Sequence, residues 1–466
     1  MSKVTGHRWM PPALISQAPQ VQVETNPMQK AAFGLTTFFI LMLYSRFQDF
    51  ISSLHLPAIT LFLAILWMIA SGNVRTVAKI SATKYFVLMT AFMFASIPFS
   101  VWPGGAADTV VKVWLKALVV YAVVATSIIV PRYCTRLMSV AAFGIVCGTL
   151  IGLAVGNDSA RMGEINARFG DANEFAQVLL IGMCLMLGYS ATPGRNAFAR
   201  LVAYFALIVM LVAFFRTGSR GGFLGLLTVV VFLCIKNSAS VKAIILVLVV
   251  IVTTCVLIFL PGTLKYRYGA LLGLVAENRS TVDAIAAAGS VQGRQYLLVK
   301  SIEITLRHPI VGVGAGMFAV AENSVAVQEG RARGSWHETH NMYTQVSSEN
   351  GIPAFIFFVA AIVAAFRTVN RVIALGKDST DSVILEASRS AYWIRLALLA
   401  MASSGFFLSI AYTNELQVLI AFAMGLSYSV ECHMQLAQSQ SPAPAATVLQ
   451  SPVGYRKPVR TTWSNA

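Results

Sequence analysis

Apolar residues in this chain come in blocks. From residue 31 to 261, and again from 351 to 432, runs of about twenty mostly hydrophobic residues alternate with short polar joints. Wound as an α-helix, a run of that length matches the ~30 Å hydrocarbon core of a bilayer. Twelve such blocks stand at about 31–50, 53–71, 84–102, 108–130, 134–156, 174–192, 197–215, 220–236, 241–261, 351–371, 389–411 and 414–432. The pattern predicts an all-α polytopic membrane protein with about 12 transmembrane helices. One long polar stretch, 262–350, interrupts the blocks and reads as a single large outer loop carrying short helices. The expected layout is a disordered lead (1–30), helices one to nine (31–261), the loop (262–350), helices ten to twelve (351–435) and a disordered tail (436–466).

Composition sharpens this. Of 466 residues, 57% are hydrophobic and 12% charged, against about 25% charged in a soluble domain. A soluble fold has nowhere to put that much apolar surface. The net charge of +16 does not point to nucleic acid, because the basic residues sit in short joints. Arg75, Lys79 and Lys84, then Arg132 and Arg136, Arg195 and Arg200, Lys236 and Lys242, and Arg367, Arg371 and Lys377 fall on alternate joints. This Lys/Arg bias predicts cytoplasmic termini and puts 262–350 on the opposite face, the periplasm if the source is a Gram-negative bacterium. The first thirty residues show no signal-peptide core. The six cysteines lack CxxC spacing and read as packing residues.

A few polar residues resist the pattern. FFRTGSRGG puts Arg216 and Arg220 on the outer side without an acidic neighbour. They either snorkel to headgroups or serve a site, and the two glycines after Arg220 suggest close backbone approach. Lys112 and Lys116 lie four apart on one helical face. They face the bundle interior or snorkel outward. The stretch 293–351 holds three of the six histidines: His308, His337 and His340. His308 precedes Pro309 and reads as a helix end. The HETH run, 337–340, is not HExxH and has no obvious third ligand, so no metal is expected. GVGAGMF, 312–318, reads as a turn that lets the backbone approach lipid or substrate.

Four segments resemble the O-antigen ligase and Wzy-type O-antigen polymerase superfamily: ARFGDANEFAQ, RTGSRGGFLG, GRQYLLVKSIEITLRHPIVGVGAGMF and HETHNMYTQVSSENGIPAFIFF. The resemblance spans about 31–432. Ala172 stands where the family usually has proline, and His337-Glu338 is an extra pair before the familiar His340-Asn341. The resemblance implies a metal-independent integral-membrane glycosyltransferase with no cofactor. Its donor would be an undecaprenyl-pyrophosphate-linked glycan, and its acceptor lipid A-core or another lipid-linked glycan. Family roles would fall on Arg168, Arg220, Arg294 and His340.

These residue types suit the chemistry. A departing pyrophosphate gains charge, and arginine's planar fork binds phosphate oxygens bidentately. Arg220 and Arg294 are the expected catalytic cations, with Arg168, Arg216 and Lys116 as substrate ligands. An ion pair with Glu303 is the competing use for Arg294. A sugar hydroxyl needs a base, and histidine titrates near working pH. His340 is the expected base; Asn341 either fixes a nearby loop or binds sugar, and His337 is a further expected substrate ligand. The competing function is a transporter of a lipid-linked or anionic substrate. Against it stands the clustering of polar residues on one face instead of in midplane repeats.

Overall fold

The computed structural model of this protein describes residues 25–47, 54–72, 74–155, 162, 171–236, 238–259, 264, 282–330 and 337–440. Among these the regular secondary structure is entirely helical. Two compact units are present. One is Val23–Glu431; the other consists of 1–22 and Cys432–Ala466, of which the described part is the last turns of the final helix, 432–440.

A helix covers each apolar block of the sequence. In order they are α1 (Pro27–Ser45), α2 (Leu56–Ala70), the short α3 (Val74–Lys79), α4 (Ser81–Ser96), α5 (Pro103–Asp108), α6 (Leu115–Ser127), α7 (Pro131–Val155), α8 (Ala172–Ser190), α9 (Ala197–Arg216), α10 (Arg220–Lys236) and α11 (Ala239–Phe259). The second half adds α12 (Val282–Arg307), α13 (Phe318–Gln328), α14 (Met342–Leu375), α15 (Ser382–Ser404) and α16 (Asn414–Gln440). Among the described residues, seven spans are long and apolar enough to cross a membrane: 81–99, 103–127, 131–154, 172–190, 197–216, 342–375 and 414–440. Leu56–Ala70 and Arg220–Ile235 are apolar but shorter.

Local chemistry sets the helix ends. Asn26 opens α1 with a capping box: its Oδ1 accepts from Met28 N–H at 3.0 Å, and Gln29 Oε1 accepts from Asn26 N–H at 3.0 Å. Both bonds satisfy amides that a helix start leaves orphaned. Asn196 and Asp381 cap α9 and α15 through their side chains. The third and fourth blocks differ from the simple reading. The third helix stops at Ser96 in a 3-10 turn, Ile97–Phe99, and the fourth starts early at Pro103 and passes through a π-turn, Thr109–Trp114.

Small residues let the helices approach, as they must where no water drives packing. A Cβ on Gly148 of α7 would lie 2.9 Å from the Tyr44 carbonyl of α1, and one on Gly182 of α8 would lie 2.7 Å from Ile145. Helix α15 is packed by α7, α8, α10 and α14, while α14 also packs on α4 and α12. Trp114, fully buried, donates from Nε1 to Thr90 Oγ1 at 2.8 Å.

Helices α12 and α13 are anchored by an apolar cluster of Leu297, Ile304, Val313, Met317, Phe318 and Ala321 on Ala106 of α5. The connection between α12 and α13 runs beside the middle of α14. Val313 N–H donates to Ser348 O at 3.0 Å, Gly314 N–H to Glu349 O at 2.8 Å, and Ile352 N–H to Pro309 O at 2.8 Å. Ser100 completes the join, donating from Oγ to Val313 O at 2.9 Å. At Gly351 the chain turns to φ +81°, which divides α14 into an N-terminal piece and a long apolar rod. The block expected to begin at 351 therefore begins as helix nine residues earlier, at Met342.

Candidate functional site

A cavity of about 390 Å³ lies where the N-terminal ends of α8 and α14 meet the connection between α15 and α16. Asp171, Glu174, His337, Glu338, His340, Leu408 and Ser409 line it. The histidine reaches it through an unusual backbone. His340 has φ +49°, a left-handed conformation that side chains with a Cβ adopt rarely and at a cost of about 1–3 kcal/mol. Two bonds hold it there. Its N–H donates to Ser409 Oγ at 2.9 Å, and the neighbouring Thr339 hydroxyl lies 3.2 Å from the same oxygen. Immediately after, Asn341 caps α14, its Oδ1 accepting from Tyr343 N–H at 2.9 Å and Thr344 N–H at 3.1 Å. The asparagine oxygen expected for sugar is thus used by the helix start; the amide NH₂ is the part of Asn341 left for a ligand.

Burial favours the neutral imidazole. Desolvation lowers the His340 pKa below the ordinary histidine value; the Arg294 charge and His337 push the same way, and Asp171 opposes them. Arg294, on α12, is therefore close enough to His340 for its charge to be felt. Glu338 moves the other way. Desolvation raises its carboxyl above the usual range and Asp171 adds to this, against a hydrogen bond from Ser409 that favours the anion.

The arginine turn lies beside the same cavity. A Cβ on Gly221 would lie 2.6 Å from Phe407 Cβ, and one on Gly222 3.0 Å from Ala176 Cβ. The two glycines after Arg220 thus admit the chain's own neighbours. They press the start of α10 onto α8 and onto the turn that leads to Leu408 and Ser409. Arg216 ends α9, and its carbonyl accepts from Met162 N–H at 3.2 Å. Arg216 and Arg220 are half-buried. Arg168 lies outside the described residues.

Glu303 pairs with Lys300 at 3.0 Å and with Arg307, so the ion pair weighed for Arg294 is made with other cations. His308 is exposed, and its carbonyl accepts from Gly312 N–H at 3.0 Å, as a helix end does. The GVGAG turn makes its close approaches to the protein's own chain. Its glycines, at φ +65°, +104° and +73°, fit against Glu349 backbone, Ser100 and Thr109. Sequence reasoning missed Ser409, Asp171 and Glu174, and it missed Glu349. That buried carboxylate accepts from Gly316 N–H and from Tyr412 Oη–H, each at 2.8 Å. A carboxylate just ahead of the Gly351–Pro353 break was the available signal for the last.

A second cavity, about 370 Å³, adjoins. Arg46, Lys112, Lys116, Glu174, Tyr412 and Glu415 supply its polar lining. Both lysines line it, and Lys112 also pairs with Asp108 at 2.7 Å.

Apolar helices long enough to span a bilayer, with two polar cavities near the N-terminal end of α8, define a multi-pass membrane protein. Residues 205–359 match the family model of the O-antigen ligases. This segment holds Arg216, Arg220, Arg294 and His340, and the match supports the superfamily of ligases and polymerases that the sequence resembles. No curated protein matches the chain.

Proposed function

We propose that this protein is an integral-membrane glycosyltransferase that moves a glycan from undecaprenyl pyrophosphate to a sugar hydroxyl at the periplasmic face of a bacterial inner membrane. It acts as an O-antigen ligase, with lipid A-core as acceptor, or as a polymerase, with a lipid-linked repeat as acceptor. One observation carries the reading: His340 lines a polar cavity within reach of the Arg294 charge, and its burial favours the unprotonated form a base needs. The match to the O-antigen ligase family supports it.

The acceptor hydroxyl attacks the anomeric carbon of the donor glycan. Its proton passes to the neutral imidazole of His340 as the new glycosidic bond forms. The bond from that carbon to pyrophosphate breaks, and the electron pair leaves with the phosphate oxygen. Arg294 and Arg220 stabilise the charge that builds there, in a setting where preformed cations need no reorganisation. Arg168 and Arg216 extend the hold on the lipid pyrophosphate, and His337 and the Asn341 amide contact sugar. The residues act without a metal or cofactor in this scheme.

The test is glycan transfer from a purified lipid-linked donor. His340→Ala should insert normally and lose about 10²–10⁴-fold in rate, the usual worth of acid–base catalysis. His337→Ala should lose less, and EDTA should leave the wild type active. Greater damage from His337→Ala together with abolition by EDTA would replace the base with a metal site at 337–340.

A further inference from the structure

The second cavity has features that the transfer chemistry at His340 does not use. Three cationic side chains line it from two elements: Arg46 at the end of α1, Lys112 in the π-turn, and Lys116 in the first turn of α6. The π-turn packs an extra residue into its coil, a device common at functional sites, and both lysines still turn to the same space. At its rim the cavity meets an apolar surface. Val113 lines it and is 46% exposed, and neighbouring Val111 is 52% exposed. On a membrane-spanning segment such surface faces lipid. A ligand that fits has an apolar tail lying along α6 and an anionic head reaching inward. Glu174 and Glu415 add acceptors that sugar hydroxyls bond. The volume, about 370 Å³, falls within the ~300–1,000 Å³ of small-molecule sites. Glu174 lines this cavity and the His340 cavity alike, so whatever binds here lies one side chain from the reacting centre.

We propose that this cavity binds the phosphate-bearing head of a lipid-linked saccharide arriving from the bilayer, with Lys116, Lys112 and Arg46 as phosphate ligands and Glu174 as the wall shared with the His340 cavity. The proposal rests on the transfer reading above. A transfer between two membrane-borne substrates needs two headgroup sites, and the protein has two adjoining cavities of similar size. The phosphate chemistry fits either the pyrophosphate donor or a phosphorylated lipid acceptor.

The test uses the full-length protein in nanodiscs and compares Lys116→Ala, the Lys112→Ala/Lys116→Ala double variant and Lys116→Arg. Both lysines are exposed, so folding is not at risk. Two measurements run side by side: steady-state transfer, and equilibrium binding of a fluorescent polyprenyl-pyrophosphate disaccharide and of a phosphorylated lipid-linked saccharide. The double variant should weaken one probe by about ten- to hundredfold, the worth of charged hydrogen bonds lost, and raise the KM of that same substrate. Its kcat should stay within about threefold, and Lys116→Arg should keep most of the binding. Whichever probe weakens names the donor or the acceptor as occupant. Unchanged binding of both probes, or no binding of either to the wild type, overturns the proposal. If the wild type binds a probe, the double variant loses it, and no glycan is transferred, the cavity assignment stands and the transfer reading fails.

Discussion

Ser409 Oγ accepts the backbone N–H of His340 at 2.9 Å, across 69 residues of chain. The bond joins the start of α14 to the connection after α15 and holds the histidine in its left-handed conformation. Such a backbone persists only where its surroundings over-determine it. Ser409→Ala should lower transfer by about tenfold, the equivalent of one hydrogen bond of ~1.4 kcal/mol, with insertion and donor binding kept. Ser409→Thr, which retains the oxygen, should recover most of the rate. A rate unchanged in Ser409→Ala shows that the histidine needs no such support.

The pH profile follows from the forces on His340. A general base must be unprotonated, and desolvation followed by Arg294 lowers its pKa. The acid limb of kcat/KM should therefore lie below the ordinary ~6.5 of histidine. Removing the opposing carboxylate with Asp171→Asn should move the limb to lower pH. Removing a cation with Arg294→Gln should move it to higher pH, besides reducing the rate. Limbs that move in the opposite senses, or stay fixed in both variants, assign the titration to another group.

The arginines should be sensitive to shape as well as charge. Arg220→Lys and Arg294→Lys keep the cation and lose the bidentate fork. Transfer should fall by about tenfold or more in each, on the scale of a lost charge-assisted bond, with membrane insertion unchanged. Wild-type rates in both lysine variants would show that neither guanidinium clamps pyrophosphate.

Sidedness is open to labelling. Ser324 is exposed on α13, inside the stretch that the Lys/Arg bias puts outside. A cysteine there, in a background without the native cysteines, should react with an impermeant reagent in intact cells. Labelling restricted to inverted vesicles would reverse the topology.

The fold offers a sharp contrast between two glycines. Gly351 has φ +81°, and a Cβ there would lie 2.2 Å from the Ile310 carbonyl. Gly351→Ala should destabilise the protein by at least about 3 kcal/mol, strain and clash together. Gly34, within α1, has nothing within 4 Å of a built Cβ. Gly34→Ala should be neutral or stabilising by up to about 1 kcal/mol, since alanine is the better helix former. Thermal unfolding in detergent, followed by helical circular dichroism, checks both.

The helices were legible because a bilayer demands unbroken apolar runs, and each run became a helix. The early start of α14 at Met342 was not, because its first turns, MYTQVSSEN, are polar; they are held by the Asn341 cap and by packing on α12. The π-turn at 109–114 has no side-chain periodicity of its own to betray it. At the site, His340 and the arginines stood out as polar residues among apolar ones. Ser409 did not, because a serine in a short joint carries no pattern. Its role exists only through its approach to a residue 69 positions away. Glu174 read as one acid among several in a joint, and only the fold makes it the wall between two cavities.

The join between Pro309–Gly316 and Ser348–Ile352 has a wider consequence. Four hydrogen bonds of 2.8–3.0 Å close the chain on itself there: three backbone pairs and the Gly316 amide on the Glu349 carboxylate. Everything between, from Met317 to Ser347, is a cassette whose two ends are clasped independently of its contents. Lengthening a loop whose ends are already fixed costs little, about 0.6 kcal/mol per doubling. Changes of length within the cassette therefore leave the clasp in place. His340 sits near the end of that cassette, eight residues before the clasp resumes at Ser348. Such an arrangement lets the cassette vary while the clasp and the Ser409 bond keep His340 in its place.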